Sequence, residues 1–379
     1  MRSALFVEKM SAYQEVKQNI SRMISFYNEQ SRNYAQCCGS KNVNEFINTD
    51  KTKISWNDNL KDDLKKGKLH CYVEEHQFTA MYRPYCKQIL YYDKNMNARR
   101  YQQPKVFPAL NIHNLCICVS SDVRNGYSIL ISNFIPDLSF VPGAQCFPLY
   151  YYEKNEGNIG TLFDFGQENY VRRDGITDFI YEQCRERYGH RVTKEDIFYY
   201  VYGLLHSKDY REQFAADLKK MLPRIPLVDV PADFWAFSKA GRELAELHLN
   251  YETVPAYPDV KVIGAETEKF RVEKLTFGKK GKETDKSVLI YNSFIRIENI
   301  PLEAYEYVVN GKSAIEWIMD RYQIKTDKDS GITNDPNDWG LEHNNPSYIL
   351  DLILSVITVS IETNKIVKNL PKLYFTNNS

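Results

Sequence analysis

Between Asn97 and Lys105 the chain reads Asn-Ala-Arg-Arg-Tyr-Gln-Gln-Pro-Lys. A guanidinium can fork onto O6 and N7 of guanine, and a carboxamide can pair with N6 and N7 of adenine. Lys and Arg also neutralise phosphates, which positions a protein on a duplex without reading its sequence. Arg99, Arg100, Tyr101, Gln102, Gln103 and Lys105 therefore form a candidate readout loop. Arg83 and Lys87, in Arg83-Pro-Tyr-Cys-Lys87, add cations upstream, and Arg124 adds one downstream. The competing reading of these residues is a solvated loop whose charges pair with neighbours at little energetic gain. Lys279, Lys280 and Lys282, on the Gly278-Lys-Lys-Gly281 turn, are a second candidate phosphate contact. Arg224, held near two prolines, reads as structural, aimed at helix-end carbonyls or an internal carboxylate.

The overall charge does not advertise a polyanion partner. Lys plus Arg and Asp plus Glu each number 49, whereas a generic nucleic-acid binder is usually basic. The charge is locally uneven, however. From Met81 to Leu130 seven cations stand against two acids, and from Ile131 to Tyr170 one cation stands against five acids. A basic groove on a neutral body fits this pattern. The 28 tyrosines suit a contact surface, since each pairs a large apolar ring with a polar tip; they equally suit a wet-edged core.

Other constellations fall short of chemistry. Asn345-Pro-Ser-Tyr348 approaches the Asn/Asp-Pro-Pro-aromatic loop that holds a flipped adenine, but its second proline is a serine and no Gly-rich cofactor loop accompanies it. Asn before Pro is also an ordinary helix start. The acidic stretch Asp327 to Asp338 lacks the alternating oxygens and terminal bidentate Glu of a calcium loop, so turns and caps that present Trp339 are expected. No phosphate-binding G-x-x-x-x-G-K-[ST], G-x-S-x-G or H-E-x-x-H occurs. The one nuclease-like fragment, Asp63-Leu-Lys65, lies in polar sequence without a strand pattern. His206 and His248 read as solvent-side or capping residues. The eight cysteines include Cys37-Cys38 and the C-x-C pair Cys116 and Cys118, but no C-x-x-C. Reduced thiols in the cytoplasm are expected. No metal site is expected, because histidines and cysteines do not pair at ligand spacing. No cofactor and no catalytic residue is assigned. The longest uncharged run of the last helix, Leu352 to Ile361, is too short to span a bilayer.

The elements that must position these residues follow from periodicity. Thr193 sits three residues before Asp196, a capping-box spacing, and Ile197, Tyr200, Val201, Leu204 and Leu205 recur at helical intervals. Ser207 starts a second helix, with Tyr210, Phe214, Leu218 and Leu222 on one face and Pro223 as its stop. Helices are also expected over residues 1 to about 35, around Phe179 to Cys184, from Phe234 to Leu249, from Ser313 with its Glu316 capping partner, and from Pro346 to about Lys368. Apolar runs at 89–92, 115–119, 128–132 and 145–152 read as strands, with Asn125-Gly126 favouring a tight hairpin turn. The fold class is α+β, a β-rich lobe and a mixed lobe joined by a central helical region. The expected segments are 1–68 (helical linker), 69–170 (β-rich reading lobe), 171–225 (central helices) and 226–379 (mixed lobe).

Several stretches together resemble one family. They are Arg22-Met-Ile-Ser-Phe-Tyr-Asn28, Tyr82-Arg-Pro-Tyr85, Cys146-Phe-Pro-Leu-Tyr150, Tyr200-Val-Tyr-Gly-Leu-Leu-His-Ser-Lys-Asp-Tyr-Arg-Glu212, Leu222-Pro-Arg-Ile-Pro-Leu227, Gly241-Arg-Glu-Leu-Ala-Glu-Leu-His248, Gly311-Lys-Ser-Ala-Ile-Glu-Trp317 and Ser330-Gly-Ile-Thr-Asn-Asp-Pro-Asn-Asp-Trp339. In this order they resemble the C-terminal target-recognition domain of single-polypeptide Type I (Type ISP) restriction–modification enzymes, and more loosely the specificity domains of γ-class adenine methyltransferases. The resemblance implies recognition of double-stranded DNA in cooperation with methyltransferase and helicase/nuclease domains of the same enzyme, with no chemistry of its own. It favours the readout-loop reading of Arg99 to Lys105. It also implies that the first helix leads out of a methyltransferase, leaving its apolar face short of a partner. The alternatives are a degenerate methyltransferase or nuclease domain using S-adenosylmethionine or the Asn345 segment, and a protein-interaction scaffold.

Overall fold

The computed structural model describes residues 12–37, 42–98, 100–122, 126–141, 143, 145–154, 170–329, 331 and 333–374. The chain opens with α1 (Ala12–Gln36), α2 (Val43–Phe46) and α3 (Asp58–Lys65). Tyr27, Tyr34, Ile54, Leu60 and Leu64 bury the C-terminal half of α1 against this small unit; Val7 and Met10 of its expected apolar face lie outside the described residues. Asn28 then clamps the segment leaving α3 through two bonds to the His70 backbone, at 2.8 and 2.9 Å.

Two hairpins follow. β1 (Gln77–Arg83) pairs antiparallel with β2 (Cys86–Tyr91). The turn between them forces Tyr85 to a left-handed φ of 59°. After the short α4 (Gln103–Val106), β3 (Cys116–Asp122) pairs with β4 (Gly126–Ser132) down to Asp122 opposite Gly126. β5 (Ile135–Pro136) then returns parallel to β1, and β6 (Gln145–Pro148) covers the other side of β3. β7 (Tyr150–Lys154) pairs with β8 (Tyr170–Asp174).

Strand alternation makes β3–β4 the divider of the molecule. Cys116, Cys118 and Leu130 face a core shared with Tyr251, Ile315, Ile353 and Val356. Ile117, Val119, Ile129 and Ile131 face a second core shared with Tyr200, Leu204, Phe234 and Phe237. A sheet buried on both faces reads as a continuous apolar run, as Leu115 to Val119 and Ile129 to Ile131 do.

The helical centre holds α5 (Asp178–Tyr188), α6 (Lys194–His206), α7 (Lys208–Gln213) and α8 (Pro231–Leu249). The Thr193–Asp196 capping box is present, and Arg242 from α8 reaches the same Asp196 carboxylate at 2.7 Å. α7 is shorter than its apolar spacing predicts. It ends at Gln213, and the chain continues in separate turns that bury Leu218 but leave Leu222 42% exposed. The reason lies in the following segment. Tyr210 and Tyr200 donate their hydroxyls to the carbonyls of Arg224 (2.8 Å) and Pro226 (2.5 Å). These bonds draw the proline segment back under α6, a path a straight helix to Leu222 would miss. Arg224 contributes its carbonyl here, and its side chain is exposed.

The remaining chain forms a four-stranded sheet from β9 (Lys261–Ile263), β10 (Thr276–Lys280), β11 (Glu283–Ile290) and β12 (Arg296–Glu298). Gly278 lies inside β10, and the turn falls at Gly281, with φ 64°. α9 (Ala314–Arg321) starts with the Ser313–Glu316 capping box. α10 (Asn337–Glu342) precedes α11 (Tyr348–Lys368). α11 begins two residues after Pro346, because the Asn345 carboxamide oxygen accepts from the Ser347 backbone and hydroxyl at 3.1 and 2.9 Å. Ile353, Val356 and Ile357 of α11 are fully buried, each contributing about 1.5–3 kcal/mol. The architecture is α+β.

Candidate nucleic-acid interface

The loops after β2 and around α4 meet the β7–β8 hairpin across an open groove of about 1010 Å³. Lys94, Arg100, Lys105 and Lys154 line it, with the rings of Tyr92, Tyr152 and Tyr170. The guanidinium of Arg100 lies 4.8 Å from the centre of the Tyr92 ring. Burial pushes the Tyr92 hydroxyl up to about 12, with the Arg100 charge opposing the shift. The phenol thus stays neutral and leaves the Arg100 charge intact.

The acids of the groove are largely spoken for. Asp93 Oδ1 accepts from the backbone of Asn95 and Met96 at 2.7 and 3.1 Å, and its other oxygen lies 3.2 Å from His76 Nδ1. Glu153 pairs with Arg173 at 3.1 Å. Glu75 remains exposed at the rim. Among the described residues Lys94, Arg100 and Lys105 form no ion pair, so the wall carries net uncompensated positive charge that a phosphate would neutralise.

The expected site residues divide into groups. Arg100 and Lys105 line this groove, and Tyr101 and Gln102 lie between them in the chain. Tyr101 is 75% exposed and holds a left-handed φ of 48°, a conformation unusual for a bulky residue. Gln103 is committed to structure, donating to the Pro136 carbonyl at 2.8 Å. Arg83 and Lys87, expected among the DNA-contacting cations, each form an ion pair within the chain. Arg83 binds Asp137 at 2.6 Å and lies over the Tyr82 ring, and Lys87 binds Glu252 at 2.5 Å while 12% exposed. They close the β1–β2 hairpin onto β5 and α8's following loop; the Lys87 pair is largely desolvated, whereas Asp137 leaves the Arg83 pair partly exposed. Arg99 and Arg124 lie outside the described residues. Lys279, Lys280 and Lys282 are exposed on the β10–β11 turn, where Lys280 pairs with Asp285 at 3.4 Å.

Lys94, Tyr92, Tyr152 and Lys154 were not singled out from the sequence as site residues. Their only signal there was a Lys beside an aromatic strand end, repeated at two distant hairpins. The histidines also differ from expectation. His206 and His248 are each 3% exposed, linked through Tyr202 rather than facing solvent. At Asn345 both ends of the carboxamide are engaged, its oxygen by Ser347 and its nitrogen by Asp351 at 3.2 Å, and Tyr348 donates to Glu252 at 2.7 Å. The segment is built as a helix start. Trp339 is half-buried, stacked on His343 at 4.5 Å.

Fold and groove together define a class: an α+β module offering a cationic, aromatic-lined surface on a packed scaffold. Within that class the chain belongs to the Type ISP C-terminal specificity domain family, whose model matches residues 10–352. Three solved structures share its fold. The ATP-dependent Type ISP restriction–modification enzyme LlaBIII bound to DNA is 37% identical, with a TM-score of 0.82 over 96% of this chain and 22% of that one. A nuclease-deletion mutant of the Type ISP enzyme LlaGI with a DNA substrate mimic is 36% identical, with a TM-score of 0.82 over 96% of this chain and 32% of that one. The DrdV–DNA complex is 25% identical, with a TM-score of 0.78 over 96% of this chain and 34% of that one. This chain thus spans about a third or less of those proteins. Among curated proteins none matches. Among the described residues no helix is long and apolar enough to cross a membrane.

Proposed function

We propose that this chain recognises a specific sequence in duplex DNA as the specificity module of a restriction–modification enzyme. In that role it holds the duplex for a methyltransferase and a helicase/nuclease carried elsewhere in the same enzyme, performs no chemistry itself, needs no cofactor and works in the cytoplasm. The observation that carries the reading is the groove in which, among the described residues, Arg100 and Lys105 form no ion pair while Asp93 and Glu153 are bonded internally. Phosphates would be held by Lys94, Arg100 and Lys105, with Lys279 and Lys282 as a second contact, and base edges would be read by Arg100, Tyr101 and Gln102. That the family's DNA-bound structures share this fold over nearly the whole chain supports the same conclusion.

Selection from a randomised duplex pool tests this directly. Bound duplexes should converge on a consensus, and their affinity should fall steeply with salt. Enrichment of no sequence, or an affinity indifferent to salt, overturns the proposal. Calorimetry with S-adenosylmethionine should show no binding, and binding would move the assignment to a methyltransferase.

A further inference from the structure

Cys116 and Cys118 stand two residues apart on β3, and Cys146 stands directly opposite Cys118 on β6. Strand alternation puts all three on one face of the sheet. The Cys118 sulfur lies 3.8 Å from that of Cys116 and 3.5 Å from that of Cys146, and all three fall within 4.8 Å of one another. A metal–thiolate bond of about 2.3 Å sets sulfur–sulfur spacings of roughly 3.8–4.0 Å around one ion. The separations of 3.5 and 3.8 Å lie close to that range, so an ion could be seated by side-chain rotation without moving the strands.

We propose that this triad binds one soft, low-coordinate d10 cation of the copper(I) class. The donor set decides the class. Among the described residues no histidine or carboxylate joins the three sulfurs. A closed structural zinc site wants four ligands, and three soft sulfur donors without a fourth ligand suit a low-coordinate copper(I) ion instead. Cys116 and Cys118 are fully buried, and Cys146 is half-buried on the outer strand, which gives the ion its route in. Any thiol proton displaced on binding goes to solvent. The inference does not depend on DNA binding.

The test uses the full chain with Cys37, Cys38 and Cys71 changed to Ser, since Cys37 and Cys71 are exposed thiols that would bind copper themselves. Copper(I) is added without oxygen in competition with a colorimetric copper(I) chelator. One equivalent should stay on the protein, with an X-ray absorption spectrum showing sulfur neighbours alone. Cys118→Ser and, at the less buried position, Cys146→Ser should each abolish retention, with circular dichroism confirming the fold. No copper retained by the intact triad, a shell containing nitrogen or oxygen, or equal retention in a folded variant overturns the site and leaves three thiols packed as core.

Discussion

The Tyr202 hydroxyl lies 2.6 Å from Nδ1 of His248, and the opposite ring nitrogen lies 2.9 Å from the Thr363 hydroxyl. Burial lowers the His248 group to about 3, and the same cause, with Arg211 adding to it, pushes His206 well down. Tyr202 is held neutral by burial, so its O–H donates to Nδ1, and His248 carries its proton on Nε2, toward Thr363. This chain of bonds ties α6 to α8 and α11.

Both histidines are neutral in the folded state and protonated in the unfolded chain once pH drops below about 6.5. Their folded pKa values are depressed, so below about 6.5 the unfolded state binds more protons, a difference that for His248 lasts down to about 3. Stability is therefore fully present above 6.5 and falls with pH through that window. Each histidine contributes a slope of about 1.4 kcal/mol per pH unit. Urea midpoints measured at pH 7.5, 6 and 5 should fall in that order. A His248→Gln variant should show a shallower fall, and an unchanged slope would remove His248 as a cause.

Where α6 crosses α8, Gly203 and Gly241 leave no room for a side chain. A Cβ at Gly203 would stand 2.2 Å from the Phe237 carbonyl oxygen, and one at Gly241 would stand 1.9 Å from that of Tyr199. The clash is with backbone, which cannot rotate away. Gly203→Ala and Gly241→Ala should each cost at least about 1–3 kcal/mol, the range for overpacking. Equilibrium denaturation reads this. An alanine tolerated without loss would mean that the helices slide apart freely.

The sequence revealed local structure better than long-range pairing. The capping boxes at Thr193 and Ser313 were legible because both partners lie within one turn. The strands at 116–122 and 126–132 were legible from their apolar runs. The end of α7 was not, because it is set by hydroxyls on Tyr200 and Tyr210 that reach a segment up to 26 residues away. The same limit governed the site. Arg83 and Arg100 are both arginines beside aromatics in sequence. Only the fold shows that Asp137 neutralises the first and that, among the described residues, no acid pairs with the second. The polarity of His206 and His248 suggested solvent, but the bonds that bury them run from α6 through α8 to Thr363 of α11, which lies 115 residues from His248.

That difference between two arginines makes a sharp prediction for DNA binding. Arg100→Ala with Lys105→Ala should reduce the magnitude of the log–log salt slope by roughly 2, about one unit per phosphate contact. Arg83→Ala should leave the slope unchanged and at most lower stability by about 1 kcal/mol, since its pair with Asp137 is partly exposed. Fluorescence anisotropy over a salt series separates the two outcomes. A slope altered only by Arg83→Ala would invert the assignment.

Tyr101 combines exposure with a strained backbone, which costs a non-glycine residue on the order of 1 kcal/mol. Glycine would relieve that strain while freeing the unfolded chain by a similar amount. Tyr101→Gly should therefore stay within about 1 kcal/mol of the parent in stability. If the ring contacts the duplex, affinity should nonetheless fall about tenfold, equivalent to about 1.4 kcal/mol. Tyr101→Ala keeps the left-handed backbone but removes the ring, so an equal loss in both variants assigns the effect to the side chain. Loss with Gly alone would assign it to loop rigidity, and full affinity in both would take Tyr101 out of the interface.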